Sequence, residues 1–466
     1  MFSKLNSDKL IWLVVFILVL ASFVLGILSL STGFTVRSFN VLDQKSPKVD
    51  LYNQSFAVYF NRPILAGQNL DKLVQIEPVQ KLYFSIIGDE LLIQTSQILE
   101  ANTDYTLTIN KELLDIFNKP LTSDYKANFA TRPLDLYYVK TNTGSTELVR
   151  QQFDSGDEEI IYKDSNIVRY QVGQNMLAAI NQISFDVQTL NLIDLNTKKA
   201  QLPLPNNYSV YDFQFVPNQP FAYFTARIAE ESAQYGVIYS TRKLYLLNLK
   251  TLKFELVAMP SAIEDIEELV ISPDGQALLY KDTAESIFYL MDVTDSVNPV
   301  SIGKYVSTSG FNFSSQKLLF TAADFMNGTG SPFTVSVDAD RKSQILQSDA
   351  LGNIDPVWAN SSDLIILSKQ YADLVNTKGL YKLELIDKSQ IINSFIKQGE
   401  SLELAQISPD DRYIVVENYT ITQLQDLDNL RPIGYQAKPG KGKLLVIDAK
   451  NWQVIKEIEA INALWY

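Results

Sequence analysis

The sequence predicts an all-β protein tethered by one membrane helix, in which a small β-sandwich precedes a closed β-propeller. Three observations carry this expectation: an uncharged stretch near the amino terminus, a run of short strand signals behind it, and a repeat of about 45 residues that fills the rest of the chain.

The first observation sets the topology. From Leu10 to Leu30 no residue is charged, and Lys4 and Lys9 stand before the segment. As a helix, this stretch spans about 31 Å, the thickness of a bilayer's hydrocarbon core. The positive-inside rule then leaves residues 1–9 as a cytoplasmic tail and exports the remainder of the chain. A cleaved signal peptide is the alternative, with Ser29-Leu30-Ser31 as the cleavage region, but the apolar stretch is longer than such peptides use. Residues 31–47 read as a polar linker with no sustained period.

Composition narrows the chemistry. The 466 residues include no histidine and no cysteine, with 53 Asp+Glu against 40 Lys+Arg and a formal charge of −13. Ser-His-Asp and Cys-His catalysis, thiolate metal sites and disulfides are excluded. The acidic balance argues against nucleic acid as a partner. No cofactor motif or calcium-loop spacing is present, so neither a cofactor nor a metal is expected.

Residues 48–132 carry the sandwich signals. Ala57-Val58-Tyr59-Phe60, Val74-Gln75-Ile76 and Leu91-Leu92-Ile93 are short apolar runs, and Tyr105-Thr106-Leu107-Thr108-Ile109 alternates with period two. The order YFNRPI (59–64), VQIEP (74–78), GDELLIQ (88–94), LEANTDYTLTI (99–109), LLDIFNKPL (113–121) and NFATRP (128–133) resembles the bacterial immunoglobulin-like domain of S-layer and other surface proteins. That resemblance implies a spacer. Asn118 stands where the family often has glycine, and Asn tolerates the left-handed backbone the turn needs.

From Leu134 onward two markers recur in step. The first places an apolar residue before a tight turn and a strand after it: RYQVGQNMLAAI (169–180), FQFVPNQPFAYF (213–224), LVISPDGQALLY (269–280), FNFSSQKLLF (311–320), VWANSSDLIIL (357–367) and AQISPDDRYIVV (405–416). Aligned on Tyr170, Phe215, Ile271, Phe313, Trp358 and Ile407, they are 42 to 56 residues apart. The second marker alternates and ends in Asp or Asn: LNLIDLNT (190–197), LYLLNLKT (244–251), FYLMDVTD (288–295), FTVSVDAD (333–340), LYKLELID (380–387) and LLVIDAKN (444–451), with a further copy at LYYVKTNT (136–143). INALWY (461–466) echoes IDPVW (354–358), which predicts that this strand joins the blade begun by residues 134–152 and closes the ring. Residues 134–466 therefore read as seven blades, or six if the terminal pieces form no blade of their own. The Ser-Pro-Asp-Gly turn at 272–275 and its variant at 408–411 resemble TolB-type, WD-repeat-like propellers, a resemblance that implies exported envelope proteins and a fold more than a function.

Two insertions break the period: residues 226–240 and residues 417–442. Long connections lie at propeller rims, where partners dock. The second insertion combines Tyr419, Leu424, Leu427, Arg431 and Tyr435 with a basic end at Lys438 and Lys441, residue types favoured at interfaces. It is the candidate partner-binding loop. The leading expectation is a non-catalytic protein-binding or scaffolding module at the bacterial cell envelope, meeting a protein or envelope component at the rim. A carboxylate-dependent hydrolase of an envelope glycan is the alternative, since two inward Asp/Glu side chains suffice for it; a structural surface component is the third. The acidic runs Glu264-Asp265-Ile266-Glu267-Glu268 and Asp426-Leu427-Asp428 read as solvated turns, and no catalytic residue is assigned.

Overall fold

The structure is a computed structural model of the full chain. It describes Val15 and the residues from Gly33 onward, apart from residues 42–47, 50–54, 96–98, 143, 174, 185, 218, 233–235, 294, 313–316, 324–331, 339–340, 348–353, 359–363, 372–379, 388–389, 399 and 426–431. Among the described residues no helix is long and apolar enough to cross a membrane, and the 10–30 segment lies outside them except for Val15. The chain divides into two compact units, with the second made chiefly of Arg132–Tyr466.

The first unit is a sandwich of two four-stranded sheets. One sheet runs in the order Val36–Val41, Ser55–Phe60, Glu90–Thr95, Leu82–Ile87, and the other Lys48–Val49, Tyr125–Thr131, Asp104–Ile109, Val74–Glu77. Alternation puts Phe56, Tyr105 and Phe129 inside, where Tyr105 stacks on Phe129 at 5.6 Å between ring centroids and Phe56 packs tilted against it at 4.9 Å. Arg62 and Asp115, both buried, form an ion pair at 2.9 Å; Asp115 also accepts the Phe117 and Lys119 N–H groups, and Asn118 takes a φ of 58° in that turn.

The expected linker at 31–47 is corrected in part. Val36–Val41 is a strand of the first sheet, and Phe34 is buried. A β-bulge between Val36 and Ser38 shifts the apolar positions from 34 and 36 to 39 and 41, which hides the period-two pattern.

The second unit contains seven antiparallel sheets among the described residues. Blade 1 is Ile461–Trp465, Asp135–Asn142, Ser145–Gln152, Glu158–Asp164; blade 2 is Ile167–Val172, Met176–Ser184, Val187–Asp194, Ala200–Gln201. Blade 3 is Tyr208–Phe215, Phe221–Ser232, Lys243–Asn248, Phe254–Leu256, with Gly236–Tyr239 as an extra strand. Blade 4 is Ile266–Ile271, Ala277–Asp282, Ile287–Asp292, Asp295–Lys304, and blade 5 is Ser307–Phe311, Lys317–Ala323, Pro332–Asp338, Ser343–Gln347. Blade 6 is Ile354–Trp358, Ile365–Tyr371, Leu380–Asp387, Gln390–Gln398, and blade 7 is Glu400–Ile407, Tyr413–Gln425, Pro432–Asp448, Val454–Ile458. The first strand of each blade touches the first strands of its neighbours, so these strands form the inner ring.

Each hydrophobic cluster is built from two adjacent blades. Ala178 and Leu192 of blade 2 meet Phe213 and Phe224 of blade 3, for example, and Val415 and Leu444 of blade 7 meet Tyr138 and Trp465 of blade 1. The other five seams are filled the same way. Closure runs through Ile461–Trp465, which pairs antiparallel with Asp135–Asn142. One expectation shifts here: the copy of the second marker at 136–143 falls in the second strand of blade 1, Asp135–Asn142, with residue 143 outside the described residues, whereas the second marker elsewhere falls in the third strand. Both positions are sandwiched between other strands and share one apolar pattern.

The turn chemistry is visible at atomic detail. Ser272 Oγ donates to Asp274 Oδ1 at 2.6 Å and accepts the Ala277 N–H at 2.8 Å, and Gly275 supplies a φ of 70°. Ser408, Asp410 and Tyr413 repeat these contacts at 2.7 and 2.9 Å, with Asp411 at φ 56°. At the end of the third strands, Asp194, Asn248 and Asp448 each accept the N–H groups of the residues two and three positions further on, within the next turn.

The closing seam yields a stability test. Trp465, buried against Phe153 and Tyr413, joins blades 1 and 7. Trp465→Ala is expected to cost about 3–5 kcal/mol in urea unfolding, whereas truncating the exposed Ile455 is expected to cost no more than about 0.5 kcal/mol.

Candidate functional site

The two insertions are hairpins, not irregular loops. In blade 7 the second and third strands run on beyond the sheet, with Ile421 paired to Ala437, Gln423 to Tyr435 and Leu424 to Gly434. In blade 3 the second strand continues to Ser232 and pairs with Gly236–Tyr239. Both hairpins connect a second strand to a third. Because strand direction is the same in every blade, those connections share one rim with the links that lead from each fourth strand to the next blade.

The candidate residues fall along the blade 7 hairpin. Tyr419 sits at its base, half-buried, and its hydroxyl bonds the Glu417 carboxylate. Tyr419 is cross-strand from Gly442, where a β-carbon would come within 2.7 Å of the Tyr419 ring and 2.5 Å of Ile461 Cγ2. Glycine thus lets the ring and the closing strand lie against the hairpin base. Leu424, Tyr435, Lys438 and Lys441 lie on the paired strands, with side chains outside the described set; Leu427 and Arg431 lie outside the described residues, as do Asp426 and Asp428.

Sequence reading missed the polar belt beneath this rim. Six of the seven first strands carry a β-bulge at a matching position: 167/169, 210/212, 267/270, 308/310, 403/406 and 461/464. Glu268, Leu404 and Asn462 take positive φ there, as does Gly310, whose added β-carbon would stand 2.8 Å from Val270 Cγ1. Around these bulges every seam is stitched. Tyr170 Oη donates to the Asn462 carbonyl at 2.5 Å, and Arg169 donates to the Tyr211 carbonyl at 3.2 Å. Asp212 accepts the Leu269 N–H at 2.9 Å, and Glu268 accepts the Thr308 N–H at 3.2 Å. Trp358 Nε1 donates to the Gly310 carbonyl at 3.3 Å, Ser368 donates to the Leu402 carbonyl, and Glu417 accepts the Asn462 N–H at 2.6 Å.

Burial pushes the carboxyls of Asp212, Glu268 and Glu417 above their ordinary pKa. Each is already committed to a backbone N–H of the next blade. The run at 264–268, expected to be a solvated turn, is instead tied to blade 3. Arg242 grips Asp265 at 2.5 Å and Glu267 at 2.7 Å, while Lys281 reaches Glu268 at 3.1 Å. Burial alone would raise the Asp265 carboxyl, but hydrogen bonds from Arg242 and Thr283 outweigh it and hold the group well below the usual carboxylate range. Among the described residues no group of three or more Asp/Glu side chains is placed to share a metal ion.

Comparison with known proteins supports the reading of the first unit. Residues 31–131 match the bacterial Ig-like domain family. The match to this Ig-like domain begins ahead of the Val36–Val41 strand, in agreement with its place in the sandwich. No curated protein matches the chain. Similar solved structures include TolB from Acinetobacter baumannii, at 14% identity over 66% of this chain and 78% of that one with a TM-score of 0.41. An oligogalacturonate lyase in complex with manganese aligns at 11% identity over 72% and 94%, TM-score 0.44. A chain of a nidogen/laminin complex aligns at 10% over 71% and 98%, TM-score 0.37. Likeness at this level carries no functional argument; the propeller assignment rests on the seven sheets and their closure.

The belt generates a pH prediction. A carboxyl whose pKa is raised by folding binds more protons folded than unfolded, so stability falls as pH rises from its ordinary value to the raised one and is level above it. Removing Glu417 as Glu417→Gln is expected to shift unfolding free energy in the variant's favour across that window, measured by urea titrations at stepped pH. A difference between variant and wild type that does not vary with pH would contradict it.

Proposed function

We propose that the protein is a membrane-anchored, extracytoplasmic β-propeller that binds a protein or envelope component through one rim, without catalysis. Residues 10–30 form the anchor with residues 1–9 in the cytoplasm, the Ig-like domain is a spacer, and the blade 3 and blade 7 hairpins meet the partner. The observation that carries this reading is that both departures from the blade repeat are hairpins on the same rim. A closed ring of sheets gives such hairpins a rigid base, and rigid presentation reduces the ordering cost of binding. The engagement of Asp212, Glu268 and Glu417 with backbone N–H groups supports a structural use of the inner carboxylates over an acid and base pair.

A photoreactive residue placed at Tyr435 in intact bacterial cells tests the rim. It is expected to capture a discrete protein or glycan species that disappears when residues 421–437 are replaced by a two-residue turn. Capture that is unchanged by that shortening would remove the hairpin from the interface. The anchor has a separate test: protease added to spheroplasts is expected to digest the chain beyond residue 32, and full protection would reverse the topology.

A further inference from the structure

At the base of the blade 3 hairpin, a cleft of about 410 Å³ opens between blades 3 and 4, lined by Arg227, Tyr239, Ser240, Thr241, Asp265 and Thr283. The inner-strand bulge of blade 3 falls at Tyr211, and this extra residue lies under two guanidinium groups: Arg227 at 5.2 Å and Arg242 at 5.8 Å from the ring centroid. The two arginines differ in what else they meet. Arg242 is neutralised by Asp265 and Glu267, whereas Arg227 makes no ion pair among the described residues and its buried Nε has no hydrogen-bond partner there. A guanidinium that lines a cleft without a counter-charge favours an anionic ligand there, and its planar donor geometry suits a carboxylate. Glu264 also borders the cleft, but it is exposed and screened by solvent.

The strand beside the cleft identifies the carrier of that carboxylate. Gly236–Tyr239 pairs only with Ala229–Ser232, so its other edge presents unpaired backbone groups among the described residues, and Val237 and Ile238 are 58% and 45% exposed. An edge of this kind accepts an extended chain by strand addition. It leads without interruption into Ser240 and Thr241 of the cleft wall. We infer that this edge and cleft together bind an extended peptide of a protein partner, with Arg227 holding the peptide's carboxylate. The inference rests on the rim-binding reading and specifies the partner's chemistry.

Fluorescence anisotropy with the full chain in detergent micelles tests it. The probes are a fluorescein-labelled hexapeptide of alternating threonine and valine with a free carboxyl terminus and its carboxyl-terminal amide. The acid is expected to bind about tenfold more tightly than the amide. Arg227→Gln is expected to abolish that preference and Arg227→Lys, which keeps the charge but not the fork, to reduce it, with thermal melts of both close to wild type. Val237→Pro is expected to weaken acid and amide alike. Binding of neither peptide, equal binding of both, or a preference that survives Arg227→Gln would overturn the proposal. Displacement by an oligoglucuronate at lower concentration than by unlabelled peptide would overturn it in favour of a glycan. If the peptides fail while capture from Tyr435 persists, the cleft assignment falls and the rim-binding reading stands.

Discussion

A four-stranded sheet with two apolar faces cannot stand in water, and every blade here is such a sheet. Its faces are covered chiefly by the blades on either side, and each of the seven clusters among the described residues of the propeller joins two blades. A row of blades would leave two faces bare at its ends. The pairing of Ile461–Trp465 with Asp135–Asn142 removes both ends at once, and the aromatic group of Phe153, Tyr413 and Trp465 fills the seam that results. The turn residues, strand alternation and bulges all serve a geometry that this closure requires.

The polar belt is the second consequence of closure. Inner strands converge toward the axis, where side chains from neighbouring blades crowd, and in six of the seven a bulge re-aims one residue out of the sheet plane. The chain uses those positions to pass a hydrogen bond from each blade to the next. Buried carboxylates at Asp212, Glu268 and Glu417 are held with raised pKa, yet each accepts an N–H from its neighbour. Buried acids in a propeller can be seam fittings as readily as catalytic groups; their partners decide which.

Much of the fold was legible in the sequence. The Ser-Pro-Asp turns and the Asp- or Asn-terminated strands act through local hydrogen bonds, and local chemistry is what a single sequence displays; the contacts of Ser272 and Ser408 are near copies. The features that escaped depend on distant partners or on interrupted periods. Val36–Val41 was hidden by its own bulge, and blade 1 borrows its first strand from residues 461–465, so its first apparent marker is a second strand. Charge was misread for the same reason: the 264–268 run looks solvated until Arg242 and Lys281 arrive from neighbouring strands. Of the candidate site, the position and length of the blade 7 insertion were readable, but its extension of the sheet as a hairpin was not, because Gly434, Pro439 and Gly440 obscure a strand pattern.

The pairing of Leu136 with Trp465 also has a kinetic meaning. Nearly the whole propeller lies between these two residues in the chain, so their contact carries the largest loop-closure cost in the unit and cannot stabilise anything until the intervening blades have formed. Until then blade 1 has three strands and the free edge of Asp135–Asn142 is open to any other extended chain. The protein is therefore most vulnerable to mispairing late in folding, when it is already almost entirely built.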